Sequence, residues 1–297
     1  MRTVVAKALR RSRQARGARY SLTLKELESM FRVSDTLKRD SRSTVLLHLG
    51  PDVYVANLAI VALSYLALGA FKHRHGDGNI FLASDFPAND FQFACNVTNI
   101  ANSGLCVLHL ARDGFDTQAR ILLRSLSEAI YQTLIVFSSA SEFTEYHAAQ
   151  DAEQTKETWY RLFGGKKRLY SKLTALEARL GMNRERMEQL AVWREQQMVF
   201  FSQDTHHASP SAHIGSLAYA FDGDRVEPAI LGGASRHSRL TIQHLGLQLF
   251  SFVGTMHDVL LKIHRWSPDI ESANVCRYLA AFDAICDVSH ELLEPKT

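Results

Sequence analysis

The sequence predicts an all-α protein, a helical bundle of long antiparallel helices with one short irregular or hairpin excursion. Three observations carry this. Only 6 prolines and 16 glycines occur in 297 residues, which suits long uninterrupted helices better than many short strands. Apolar residues recur at three- and four-residue spacing through successive segments. Gly50-Pro51, Asp113-Gly114, Gly164-Gly165 and Gly181 fall between those segments, where helix ends belong.

In chain order, residues 1–50 read as a basic extension with an amphipathic helix, and residues 51–297 as the bundle. Leu24, Leu27, Phe31 and Leu37 share a helical face over residues 22–39. Gly50-Pro51 then breaks the chain, with Pro51 at a helix start. Residues 53–71 carry no charge and are followed by Lys72, His73, Arg74 and His75. That length can cross a bilayer with a positive flank, yet Asn57, Ser64 and the many alanines favour a buried bundle helix. Residues 75–89 are rich in turn formers and read as a loop. Helices at 91–112 and 116–137, joined across Asp113-Gly114, should pack as an antiparallel pair, with Asp116 capping the second. Further helices follow at 141–162, 166–180 and 183–201. Residues 202–233 are irregular, with a small hairpin at 216–230 around Asp222-Gly223. Helices at 238–264 and 270–293 finish the chain.

Composition narrows the function. With 34 Lys and Arg against 31 Asp and Glu, the net charge of +3 does not by itself imply nucleic-acid binding. Its distribution is uneven: Arg2, Lys7, Arg10, Arg11, Arg13, Arg16 and Arg19 precede any acid. Such a run suits nucleic acid, anionic lipid, organelle targeting or a merely solvated tail, and no apolar secretory region follows it. Cys95, Cys106, Cys276 and Cys286 lack a paired metal or redox spacing and read as buried, reduced thiols of a cytoplasmic protein. Glycine-rich phosphate loops, the GxSxG elbow and the dinucleotide fingerprint are missing, so no cofactor is expected.

Two constellations could carry chemistry. Arg124 and Glu128 sit four apart in a helix apolar on most of its circumference, so they must satisfy each other or a ligand. A guanidinium there can clamp phosphate while Glu128 orients it or acts as a base; a structural ion pair is the alternative. The second is Ser202, Asp204, His206, His207 and Ser209, followed by Pro210, directly after an apolar helix end. His206 is the candidate acid or base and the others candidate ligand contacts. The competing reading is a capping segment in which Ser202, Asp204 and Ser209 bind backbone amides. The pairs His206/His213, His237/His244 and His257/His264 are spaced by seven, two helical turns apart, too far for one metal without further ligands, so no metal is expected. Arg239 and His244 match the spacing of an arginine and histidine in HEPN ribonucleases.

With Arg124-Ser125-x-x-Glu128, the segment Ser202 to His206 and then Ser209-Pro210, the chain resembles an uncharacterised family of bacterial all-helical proteins over residues 91–217. That resemblance implies a fold and a site location, with no assigned reaction. More loosely the chain is similar to HEPN-type proteins of toxin and phage-defence systems, although Ser202 stands where that pattern has an arginine. The similarity implies a homodimer that binds or cleaves RNA without metal, with Arg124 holding phosphate and His206 moving the proton. The alternative is a non-enzymatic helical module for a small ligand or a protein partner. Membrane attachment through 53–71 is a third reading.

Overall fold

A computed structural model describes residues 24–71, 79–149, 151–205, 217–229 and 232–293, together with Lys7, Arg10, Arg11 and Gln14. The described chain is 78% helical, and its only sheet has two short strands, the all-α bundle that the periodicity predicts.

Helix α1 (Leu24–Phe71) is longer than the sequence suggests. Pro51 does not end it: only Leu49 leaves helical geometry (φ −123°, ψ 19°), so the chain kinks and continues, with Pro51 in the first turn beyond the kink. Asp113 clamps the kinked half from outside, accepting from Arg42 Nε at 2.5 Å and Nη2 at 2.9 Å. Beyond the kink, α1 is the central helix of the bundle, packed against α2 (Asp90–Arg112), α8 (Ser238–Asp258) and α9 (Ala273–Leu293).

The loop before α2 is held by its own side chains. Asn89 and Gln92 form a reciprocal cap, and the buried Asp90 carboxylate accepts from the amides of Ile80, Phe81 and Leu82 at 2.7–3.2 Å. This folds Phe81 against Gly69 and Trp266. Helix α2 turns into α3 (Asp116–Ser138) through Gly114, whose φ of +83° and backbone contact with Gly233 leave no room for a Cβ. The expected antiparallel pair is therefore present. Asp116, however, is not the cap. Phe115 holds that position without a side-chain bond, and Asp116 is drawn into the interior by Thr241.

The predicted helix at 141–162 is two: α4 (Ala140–His147), capped by Ser139, and α5 (Ala152–Phe163), capped by Asp151. Polar N-cap side chains restart the chain here, which apolar periodicity alone does not register. Helices α6 (Lys166–Arg179) and α7 (Arg184–Thr205) follow, and α7 runs through Ser202 and Asp204, positions expected to be irregular. The hairpin is present as β1 (Leu217–Tyr219) and β2 (Val226–Pro228), antiparallel, with Ala218 opposite Glu227. Helix α8 ends in a π-turn (Val259–Ile263), after which His264 accepts from the Ala83 amide at 3.1 Å and donates Nε2 to Phe137 O at 2.6 Å. The cysteines are unpaired, yet all four are exposed rather than buried. Residues 32–71 and 116–138 are each long and apolar enough to cross a membrane, and more than half of each apolar window is buried within the protein.

Candidate functional site

Helices α3 and α8 lie side by side in the same direction, in constant register. Arg120 Nε donates to Thr241 Oγ1 at 3.0 Å, and two turns on Ser127 Oγ meets Gln248 Oε1 at 2.7 Å. Helix α7 covers this pair from the opposite direction. Its Phe200 lies 4.7 Å beneath the Arg120 guanidinium, whereas its Arg194 shares a cavity with Tyr131, near the other end of α3. The three helices thus enclose a polar seam inside an otherwise apolar core.

At one end the seam is closed. Thr241 accepts from Arg120 and donates to Asp116 Oδ1 at 2.5 Å, while Arg120 Nη2 stands 2.8 Å from Asp116 Oδ2. All three residues are buried. One turn further, Gln197 Nε2 donates to His244 Nδ1 at 3.1 Å, and the His244 ring packs on Phe200 and Phe201. Burial first, and Arg120 second, lower the pKa of His237 and His244, so both rings favour the neutral form.

At the other end the seam opens into a small cavity of about 20 Å³, room for one water-sized group. Its apolar wall includes Leu134, Leu176, Trp193 and Phe252. Its polar wall is unusual. Arg194 forms a fork with both carboxylate oxygens of Glu177, a buried pair that fixes α6 on α7. Arg194 Nε, Tyr131 Oη and Gln248 Nε2 are buried without a hydrogen-bond partner. Three donors left unsatisfied around one cavity are costly unless something accepts from them. Burial raises the pKa of Tyr131, so its hydroxyl stays a donor; Tyr170, edge-on to it, is pushed up to about 12 for the same reason.

The residues singled out from sequence border this seam or lie away from it. Arg124 and Glu128 do approach each other, at 3.5 Å, but their side chains are 32% and 35% exposed: Arg124 continues the Arg120–Ser127–Tyr131 row at its open edge, and Glu128 turns further outward. Ser202 lies in the last turns of α7 and donates to Met198 O at 2.5 Å. Asp204 is in the same helix, and its side chain, with His206, His207 and Ser209, lies outside the described residues. Arg239 is exposed, whereas His244 faces α7. Five helical positions separate them by about 140° around the axis, so that spacing does not form a shared cleft. Among the described residues no three of His, Cys, Asp and Glu gather to hold a metal.

The seam was partly findable. Arg194, Met198 and Phe201 are spaced four and three apart, as are Thr241, Leu245 and Gln248, so polar residues stand in stripes that otherwise read as core. That Tyr131 and Arg194 meet depends on α7 packing against α3, which no local pattern encodes. The chain matches no protein-family model, no curated protein and no solved structure.

Proposed function

We propose that this protein is a non-enzymatic helical module that binds a small, uncharged molecule bearing a carbonyl or amide oxygen. The observation that carries this reading is that three residues lining one cavity, Tyr131, Arg194 and Gln248, each carry a buried donor without a partner, Oη, Nε and Nε2. The space beside these residues is that of one water, so a ligand would place only its acceptor oxygen there, with its apolar part against the Leu134, Trp193 and Phe252 wall at the mouth. Charge argues for a neutral one: Glu177 already neutralises Arg194, and a buried anion would lack a counter-charge. Catalysis is less well supported. Both Glu177 oxygens are engaged by Arg194, and burial keeps Tyr131 protonated, so neither group is placed to take a proton.

Benzamide, benzoate and toluene provide matched probes: a neutral acceptor, an anion and a ring with no acceptor. Ligand-observed NMR and thermal melting should show binding in the order benzamide, toluene, benzoate, and Gln248→Met with Tyr131→Phe should abolish the preference for benzamide. Failure of all three probes to bind at millimolar concentration, or undiminished benzamide binding by the folded double variant, would reject the reading.

A further inference from the structure

Helix α1 beyond its kink and helix α2 lie against each other, and both are unusual on the outside. No charged residue occurs in α1 from position 53 to 71 or in α2 from 91 to 111, in a chain whose charged fraction is 22%. The solvent side of α1 exposes Leu47 (79%), Tyr54 (65%), Val61 (44%) and Leu68 (50%). Beyond the kink, Tyr54, Val61 and Leu68 are spaced by seven, with the half-buried Leu58 and Tyr65 between them at four-then-three spacing; Leu47 lies just before the kink. That is the a/d seam of a helix that packs on another helix, and Arg277 of α9 reaches onto it, over the Tyr65 ring at 5.5 Å. Phe71 and Phe91, in mutual ring contact at 5.5 Å, extend the stripe onto α2.

We infer that the uncharged α1–α2 face is the interface of a two-fold homodimer, with α1 packing along α1 of a second copy. Area supports a protein partner. The six exposed side chains amount to about three whole ones, roughly 600 Å², at the upper end of what a monomer leaves uncovered. With Leu58, Tyr65 and the uncharged polar side chains of α2 the face approaches the ~800 Å² that each subunit of a standard interface covers. Charge selects a second copy among protein partners. A two-fold axis sets a surface against itself, so any charge near the axis would meet its own like; residues 53–71 and 91–111 carry none, and the cation at the edge, Arg277 of α9, is spread over the Tyr65 ring. A bilayer fits less well, because α8, the π-turn after it and α9 carry the exposed Arg239, Lys262, Asp283 and Asp287.

The full chain tests this by sedimentation equilibrium and size-exclusion chromatography with light scattering. Wild type should run as a dimer at tens of micromolar. Val61→Arg and Leu68→Glu, each at an exposed position, should raise the dissociation constant at least about a hundredfold, because each would bury an unpaired charge against its mate. Their thermal melting measured at a concentration where wild type is monomeric should be unchanged, which separates lost association from lost folding. The combined Val61→Arg/Leu68→Glu variant supplies opposite charges and should recover part of the association if the helices run antiparallel. A wild-type monomer at 100 μM overturns the inference. So does a dimer indifferent to both substitutions, or an α1–α2 face that instead partitions wild type onto phosphatidylcholine vesicles.

Discussion

Two buried carboxylates at single positions hold this structure by different means, and their removal should be felt differently. Glu177 neutralises Arg194 with both its oxygens. Glu177→Ala leaves a buried guanidinium uncompensated and should cost about 3–5 kcal/mol in urea denaturation, whereas Glu177→Leu with Arg194→Met should recover most of that. Asp90 accepts three backbone amides of the loop before α2, so Asp90→Ala should cost about 3 kcal/mol, and hydrogen exchange at Ile80, Phe81 and Leu82 should accelerate. Tyr131 should behave oppositely. Its hydroxyl is buried without a partner, so Tyr131→Phe should raise the melting temperature while weakening ligand binding. A fall in melting temperature on that change would mean that the hydroxyl contributes to folding and is not held for a ligand. At this scale the sequence was only partly readable. Arg124 and Glu128 were conspicuous because they interrupt an apolar run, yet Asp116 and Arg120, one turn earlier at the same spacing, are the buried pair. Spacing along α3 cannot distinguish the two, since only the placement of α8 decides which pair is covered.

Elements were more legible than residues where local chemistry fixes their ends. The α2–α3 turn follows from Asp113-Gly114, and the position also tolerates no other residue. Gly114→Ala would place a Cβ 2.1 Å from Gly233 N at a positive φ, and should cost at least about 4 kcal/mol by thermal or urea melting. Restarts marked by polar caps were missed, as at Ser139 and Asp151, because apolar periodicity continues across both breaks. The kink of α1 shows the converse. Gly50-Pro51 reads as a terminator, but the first turn of a helix tolerates Pro51, so one distorted residue, Leu49, absorbs the break and packing on α2, α8 and α9 keeps the chain helical.

For the whole molecule, the histidines couple stability to pH. His237, His244, His257 and His264 all have pKa values lowered below the usual 6.5, burial being the largest cause in each. The unfolded chain therefore binds protons that the folded chain resists. Stability from these groups is complete above pH 6.5 and is lost as pH falls below that value. The urea midpoint should drop between pH 7.5 and pH 5.5, and a midpoint that is flat over that window would contradict the burial of these rings. The sequence by itself determined that the protein is all-α, that α2 and α3 form a hairpin of helices, and that a small strand pair interrupts the bundle. Period, caps and turn residues are local signals, and local signals suffice for these features. Only the tertiary structure decided that Tyr131, Arg194 and Gln248, drawn from three helices far apart in the chain, line one cavity, and that the uncharged stretch of α1 packs on α2, α8 and α9 and leaves Tyr54, Val61 and Leu68 exposed. Which stripe of a helix is covered depends on the neighbours it meets, and no stretch of one helix carries that information.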